Sequence, residues 1–140
     1  EGGYITEDHD LRIMMVNKRN RKFESIKTVI IPPKFSGNNN YKTLVICWGS
    51  TFNIVNEAVE NIGDKNIAVL HFSWIFPLPE NINGYLQQAS NIIIIENNSS
   101  AQFTDLIKLT TGYSINNKIL KYNGLPFSVE EIKLEIQKFM

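Results

Sequence analysis

The sequence predicts an α/β fold, a three-layer αβα sandwich with a mostly parallel sheet, and three observations carry that prediction. Short, mainly apolar runs at 44–48, 67–72 and 92–95 have the length and β-branched content of strands buried on both faces. The segments between them carry apolar residues at helical spacing. The two kinds alternate along the chain, as a parallel sheet covered on both faces requires, with right-handed crossovers.

The elements follow in order. Residues 6–26 read as a highly charged helix, with Thr6 or Asp8 as N-cap and Glu7 near the positive end of the helix dipole. Leu11, Met14, Met15, Phe23 and Ile26 give only a broken apolar stripe, so this helix needs neighbours to hold it. Pro32-Pro33 and Ser36-Gly37-Asn38-Asn39-Asn40 then signal a loop or linker. The chain is expected to divide there, into a connector (1–40) and an α/β domain (41–140).

The run 44–48 is the first strand, ended by Gly49-Ser50-Thr51. Phe52, Val55, Val59 and Ile62 form one helix face, closed by Gly63-Asp64. The second strand is 67–72, followed by Pro77 and Pro79. Ile82, Tyr85, Leu86 and Ala89 mark a short helix, and Ile92 to Ile95 the third strand. Ser99 or Ser100 is placed to cap the next helix, whose core face is Phe103, Leu106 and Ile107 and which Gly112 stops. A shorter strand is expected at 119–122. Ser128 and Glu131 form a capping box for the last helix, with Val129, Ile132, Ile136 and Phe139 facing inward.

Composition narrows the function classes. Among 140 residues, 14 Lys and Arg balance 14 Asp and Glu, which argues against a general nucleic-acid backbone binder. A single cysteine, Cys47, excludes an intramolecular disulfide, a four-cysteine zinc site and a self-ligated iron–sulfur cluster. No apolar run approaches the ~20 residues of a membrane span, and no signal sequence opens the chain, so a cytoplasmic protein is the default expectation. The first residue is Glu1 rather than a start methionine, which leaves room for a longer parent protein.

The candidate chemistry sits at the carboxyl ends of strands, where α/β sheets bind ligands. Gly49, Ser50 and Thr51 lie between a strand and a helix start, a position suited to an anion. With one glycine and no following lysine they match neither a P-loop nor a dinucleotide fingerprint, so a tight turn with a hydroxyl N-cap is the favoured reading. Glu96-Asn97-Asn98 ends the third strand without a second carboxylate or histidine in local sequence, which favours a structural or interface role over acid–base work. His9 reads as solvated and His71 as either buried or at the ligand edge. Neither belongs to a metal-spaced cluster. Cys47, inside a strand, reads as a small buried hydrophobe. The basic run Lys18-Arg19-Asn20-Arg21-Lys22 reads as a solvated face. Trp74 and Phe76 belong to an aromatic, proline-rich loop that is a contact surface if exposed and a core cap if buried. No catalytic residue is assigned, and no metal site.

An ordered set of short motifs resembles one family over nearly the whole chain. Gly3-Tyr4-Ile5-Thr6-Glu7-Asp8 leading to Met15 and Lys18-Arg19 is similar to "GHITED…M..KR", and Cys47-Trp48-Gly49-Ser50-Thr51 to "GWGST". Leu70-His71-Phe72-Ser73 with Phe76-Pro77-Leu78-Pro79 resembles "LH…YPFP". Glu96-Asn97-Asn98 with Gln102 is similar to "ENN…GQ", and the stretch 119–127 to "ILKYDGRPF". These resemble the carboxy-terminal domain of the α subunit of 2-oxoacid:ferredoxin oxidoreductases, the 2-oxoglutarate type above all. Departures are Tyr4 for histidine, Asn123 for aspartate, and Ser99-Ser100-Ala101 where a glycine commonly precedes the glutamine.

The resemblance implies a transketolase C-terminal-domain-like fold with one edge strand reversed. It also implies an enzyme that oxidatively decarboxylates a 2-oxoacid with thiamine diphosphate, magnesium and a 4Fe-4S cluster, coenzyme A as substrate and ferredoxin as electron acceptor. Those cofactors would lie in upstream domains of the α subunit and in the β subunit, and none in this chain. Residues 1–40 would then connect to a missing upstream domain. The chain alone would be inactive, serving as a scaffold and subunit contact through Glu96, Asn97, Asn98, Gln102, Trp74 and Phe76. The rival expectation is a free-standing module binding a small anion at the carboxyl edge of the sheet, around Ser50, Thr51, Glu96 and Asn97.

Overall fold

The computed structural model describes residues 2–140, and the chain divides after Ile30 into two compact units. The first holds a helix, α1 (His9–Lys27). Of the two cap candidates, Asp8 takes the role: its Oδ1 accepts from the backbone N–H groups of Asp10 (2.9 Å) and Leu11 (3.1 Å). Thr6 instead accepts from the Asp8 N–H. No residue of α1 is buried, and Leu11, Ile13, Met14 and Val16 are exposed.

The second unit contains β1 (Lys34–Gly37), β2 (Thr43–Trp48), α2 (Phe52–Ile62), β3 (Ile67–Phe72), α3 (Ile82–Gln88), β4 (Asn91–Glu96), α4 (Gln102–Thr111), β5 (Asn117–Leu120) and α5 (Val129–Gln137). The sheet order is β1-β3-β2-β4-β5, with β3, β2, β4 and β5 parallel and β1 antiparallel to β3. Pleat alternation sends Leu44, Ile46, Leu70, Phe72 and Ile94 to one face and Val45, Cys47, Val69, Ile93 and Ile95 to the other. The first face is covered by Ile82 and Leu86 of α3 with Phe103 and Ile107 of α4. The second is covered by Val55 and Ala58 of α2 with Ile132 and Ile136 of α5. The expected αβα sandwich is therefore the observed one.

Two boundaries differ from expectation. Residues 31–40, expected as linker, belong to the sheet unit, so the division falls ten residues before position 40. β1 within them is the reversed edge strand, Phe35 packing its ring 5.5 Å from Tyr41 and 5.8 Å from Tyr85. Gly37 is required there: it has φ +131°, and a Cβ on it would lie 2.9 Å from the Cα of Ala68. The last strand runs 117–120, two residues earlier than expected. Register places Asn117 beside Ile93, and the Asn117 amide reaches Asn91 Oδ1 (2.8 Å), while Tyr122 is 72% exposed beyond the sheet. Among the described residues, no helix is long and apolar enough to cross a membrane.

Candidate functional site

Strand order reverses between β2 and β4, so the carboxyl ends of these neighbouring strands form the topological switch point where open α/β sheets hold ligands. β2 delivers Trp48 and the turn Gly49–Thr51 to this edge, and β4 delivers Glu96, Asn97 and Asn98.

Gly49 and Ser50 are exposed, and Gly49 adopts φ +61°. The expected hydroxyl N-cap is absent, because Gly49–Thr51 is a 3₁₀ turn that already places Thr51 in helical backbone. From there its Oγ1 donates back to the Trp48 carbonyl (2.8 Å) rather than accepting from α2. His71, next to the last residue of β3, holds the turn from the other side, with Nε2 2.9 Å from the Gly49 carbonyl oxygen. A carbonyl only accepts, so Nε2 carries the proton of that bond. The His71 ring lies 4.9 Å from Phe52, and Lys34 Nζ sits 4.2 Å from the Phe52 ring centre. Local sequence does not report this His71–Gly49 lock, because its partners lie 22 residues apart, one in β3 and the other in the turn after β2.

Glu96 is the centre of the edge. Its side chain is fully buried and accepts four hydrogen bonds: Asn98 Nδ2 at 2.7 Å, Phe103 N at 2.9 Å, Thr104 N at 2.9 Å and Thr104 Oγ1 at 2.8 Å. Two of these donors are first-turn N–H groups of α4, which have no partner within the helix. The carboxylate thus caps α4 from the neighbouring strand, at the positive end of its dipole. Ser99 and Ser100 do not cap it: the residue before the helix is Ala101, in the left-handed region at φ +54°, and no side-chain cap bond comes from it. Asn98 completes the loop, its Oδ1 accepting from Ser100 N (3.1 Å) and Gln102 N (3.4 Å).

The other candidates separate by exposure. Asn97 and Gln102 are exposed and Asn98 is half-buried. Phe76 is 60% exposed, while Trp74 is half-buried. The indole N–H groups of Trp48 and Trp74 are buried without a hydrogen-bond partner among the described residues. The half-buried Trp48 packs with its ring centre 6.2 Å from that of Phe103. Burial pushes the Cys47 thiol up to about 12, against a smaller opposing effect from Thr51. That thiol lies within the core below the edge. Cavities occur elsewhere, one of about 330 Å³ beside β1 and one of about 490 Å³ beside β5.

No family model matches the chain. Curated relatives do. It is 34% identical over 138 residues to the α subunit of 2-oxoacid:ferredoxin oxidoreductase 1 of Sulfurisphaera tokodaii, covering 95% of this chain and 22% of the relative. It is 30% identical over 141 residues to the corresponding α subunit of Saccharolobus solfataricus, with 95% and 22% covered. The chain is thus similar over nearly its whole length to one segment of 2-oxoacid:ferredoxin oxidoreductase α subunits. It spans about a fifth of the length of the relatives it matches. Two solved structures share the fold. The 2-oxoglutarate:ferredoxin oxidoreductase of Magnetococcus marinus, solved with 2-oxoglutarate, coenzyme A and succinyl-CoA bound, superimposes with TM-score 0.81 at 21% identity, over 99% of this chain and 25% of that one. The α chain of a probable 2-oxoacid ferredoxin oxidoreductase of Thermoplasma acidophilum gives TM-score 0.53 at 29% identity, over 76% and 95%.

The α-subunit family implies an iron–sulfur cluster and thiamine diphosphate, and the residues here fit neither. A cluster needs several thiolates, whereas this chain offers one, buried and protonated at neutral pH. A diphosphate–magnesium unit needs outward-facing oxygens, whereas the Glu96 carboxylate is turned wholly inward.

Proposed function

We propose that this chain is the C-terminal structural and subunit-contact domain of a 2-oxoacid:ferredoxin oxidoreductase α subunit. The whole enzyme would carry out coenzyme A-dependent oxidative decarboxylation of a 2-oxoacid and pass electrons to ferredoxin. Thiamine diphosphate, magnesium and the 4Fe-4S cluster would be held by upstream domains of the same α subunit and by the β subunit. Residues ahead of the sheet unit would connect to those upstream domains, and the enzyme would work in the cytoplasm.

The observation that supports this reading is the Glu96 carboxylate: at the switch point, where a ligand-binding α/β sheet offers polar groups, it is buried and fully engaged with α4 and Asn98. The exposed side chains at the edge, Asn97, Gln102 and Phe76, with the half-buried Trp74 beside them, suit a contact with another domain or subunit. A free-standing anion module has less support, since the Thr51 hydroxyl is turned back onto its own strand.

The test is an exchange and activity comparison. The isolated chain should give no 2-oxoacid-dependent dye reduction with coenzyme A and thiamine diphosphate supplied. Adding the remaining α segments and the β subunit should protect amides around Asn97, Gln102 and Phe76 from exchange. Turnover by the isolated chain, or unchanged exchange in the assembly, would overturn the reading.

A further inference from the structure

The chain contains two Asn-Gly pairs, Asn83-Gly84 and Asn123-Gly124, and the fold treats them oppositely. Asn83-Gly84 lies within α3, where the Gly84 N–H donates to the Asn81 carbonyl (3.3 Å) and flanking Ile82 and Leu86 are buried. Asn123-Gly124 lies in the loop between β5 and α5, where residues 122–126 are all exposed. Gly124 has φ +83°, and the space where a Cβ would stand is open. Among the described residues, its N–H has no hydrogen-bond acceptor.

The side chain of Asn123 is folded back along its own loop. Its Oδ1 accepts from the Leu125 N–H at 3.1 Å, two residues on, which curls the side-chain amide over the Asn123–Gly124 peptide. The Leu125 donor also polarises the Asn123 side-chain carbonyl and faces the oxygen on which negative charge develops when Cγ is attacked. Glycine places no side chain between the two reacting groups.

We propose that Asn123-Gly124 is a site of spontaneous deamidation through a cyclic imide, with water as the only co-reactant. The Gly124 nitrogen gives up its proton to solvent base and bonds to Asn123 Cγ, and the carbonyl electron pair moves onto Oδ1. The Cγ–Nδ2 bond then breaks and ammonia leaves with a proton from solvent. Water opens the imide by adding hydroxyl to one of its two carbonyl carbons. Attack at Cγ yields aspartate, and attack at the main-chain carbonyl yields isoaspartate. No electrons are exchanged, and the chain moves from zero net charge to one negative charge. Aspartate keeps the acceptor for Leu125, whereas isoaspartate carries the main chain through Cβ and loses that turn.

Incubation of the intact protein in mildly alkaline buffer, followed by peptide mass mapping and enzymatic methylation of isoaspartate, tests this. Amide-to-acid conversion at Asn123 is expected to run several-fold faster than at Asn83 while the protein is folded, and faster as pH rises. Unfolding in urea should bring Asn83 up towards the Asn123 rate, and Gly124→Ala should suppress conversion at Asn123. Equal rates at the two pairs in the folded protein, or undiminished conversion in G124A, would overturn the proposal.

Discussion

Removing the Glu96 carboxylate should cost this domain a large part of its stability. In Glu96→Ala, the N–H groups of Phe103 and Thr104 and the Thr104 hydroxyl lose their acceptor in a site closed to water. The fourth donor, Asn98, is half-buried and can turn to solvent. With three buried donors stranded at roughly 1–3 kcal/mol each, and some relaxation at the start of α4, the loss should be about 3–5 kcal/mol. A domain of this size has only about 5–15 kcal/mol to lose. Glu96→Gln keeps the volume but sets an amide N–H₂ against two of the donors, and should cost about 2–3 kcal/mol. Urea unfolding reads both values: with a slope of about 2 kcal/mol per molar, the alanine variant should unfold near 2 M less urea than the parent. Hydrogen exchange at Phe103 and Thr104 should quicken more than at Ile132, on the opposite face. A glutamine variant within about 0.5 kcal/mol of the parent would refute the claim that the carboxylate holds α4.

Three further outcomes follow from particular residues. Gly37→Ala should destabilise by more than about 2 kcal/mol in the same assay, since the new methyl meets Ala68 backbone at 2.9 Å in a conformation that L residues avoid. Ala101→Gly should gain up to about 1 kcal/mol, as relief of a left-handed alanine (about 1–2 kcal/mol) outweighs a lost buried methyl (about 0.8 kcal/mol). Cys47 should resist alkylation in the folded chain at neutral pH and react once the chain is unfolded in urea. Because its folded value, about 12, lies above the ordinary 9.0, its contribution to stability is complete below pH 9.0 and is lost as pH rises towards 12; Cys47→Ala should remove that part of the alkaline loss.

Much of this was legible along the chain. The central strands, the helices that cover them and the capping box at Ser128 and Glu131 depend on neighbours a few residues apart, and local pattern reports such neighbours directly. Glu96 was visible as a carboxylate at a strand end. A structural role could be favoured from there, but its partners could not be named, because three of its four donors lie seven or eight residues away in another element.

What the sequence alone determined was the alternation of buried strand and helix, the absence of thiolates for a cluster, and the family signature spread along the chain. Only the tertiary structure decided that Lys34–Gly37 is a strand, that Glu96 rather than Ser99 or Ser100 caps α4, and that His71 holds Gly49. A four-residue edge strand has no period of its own to read, and it forms because β3 offers it hydrogen bonds across the sheet. The cap and the histidine lock likewise exist only once parallel strands bring distant residues to one edge. Period-2 and period-3.6 patterns record which face is buried, and they carry no record of which polar groups will meet.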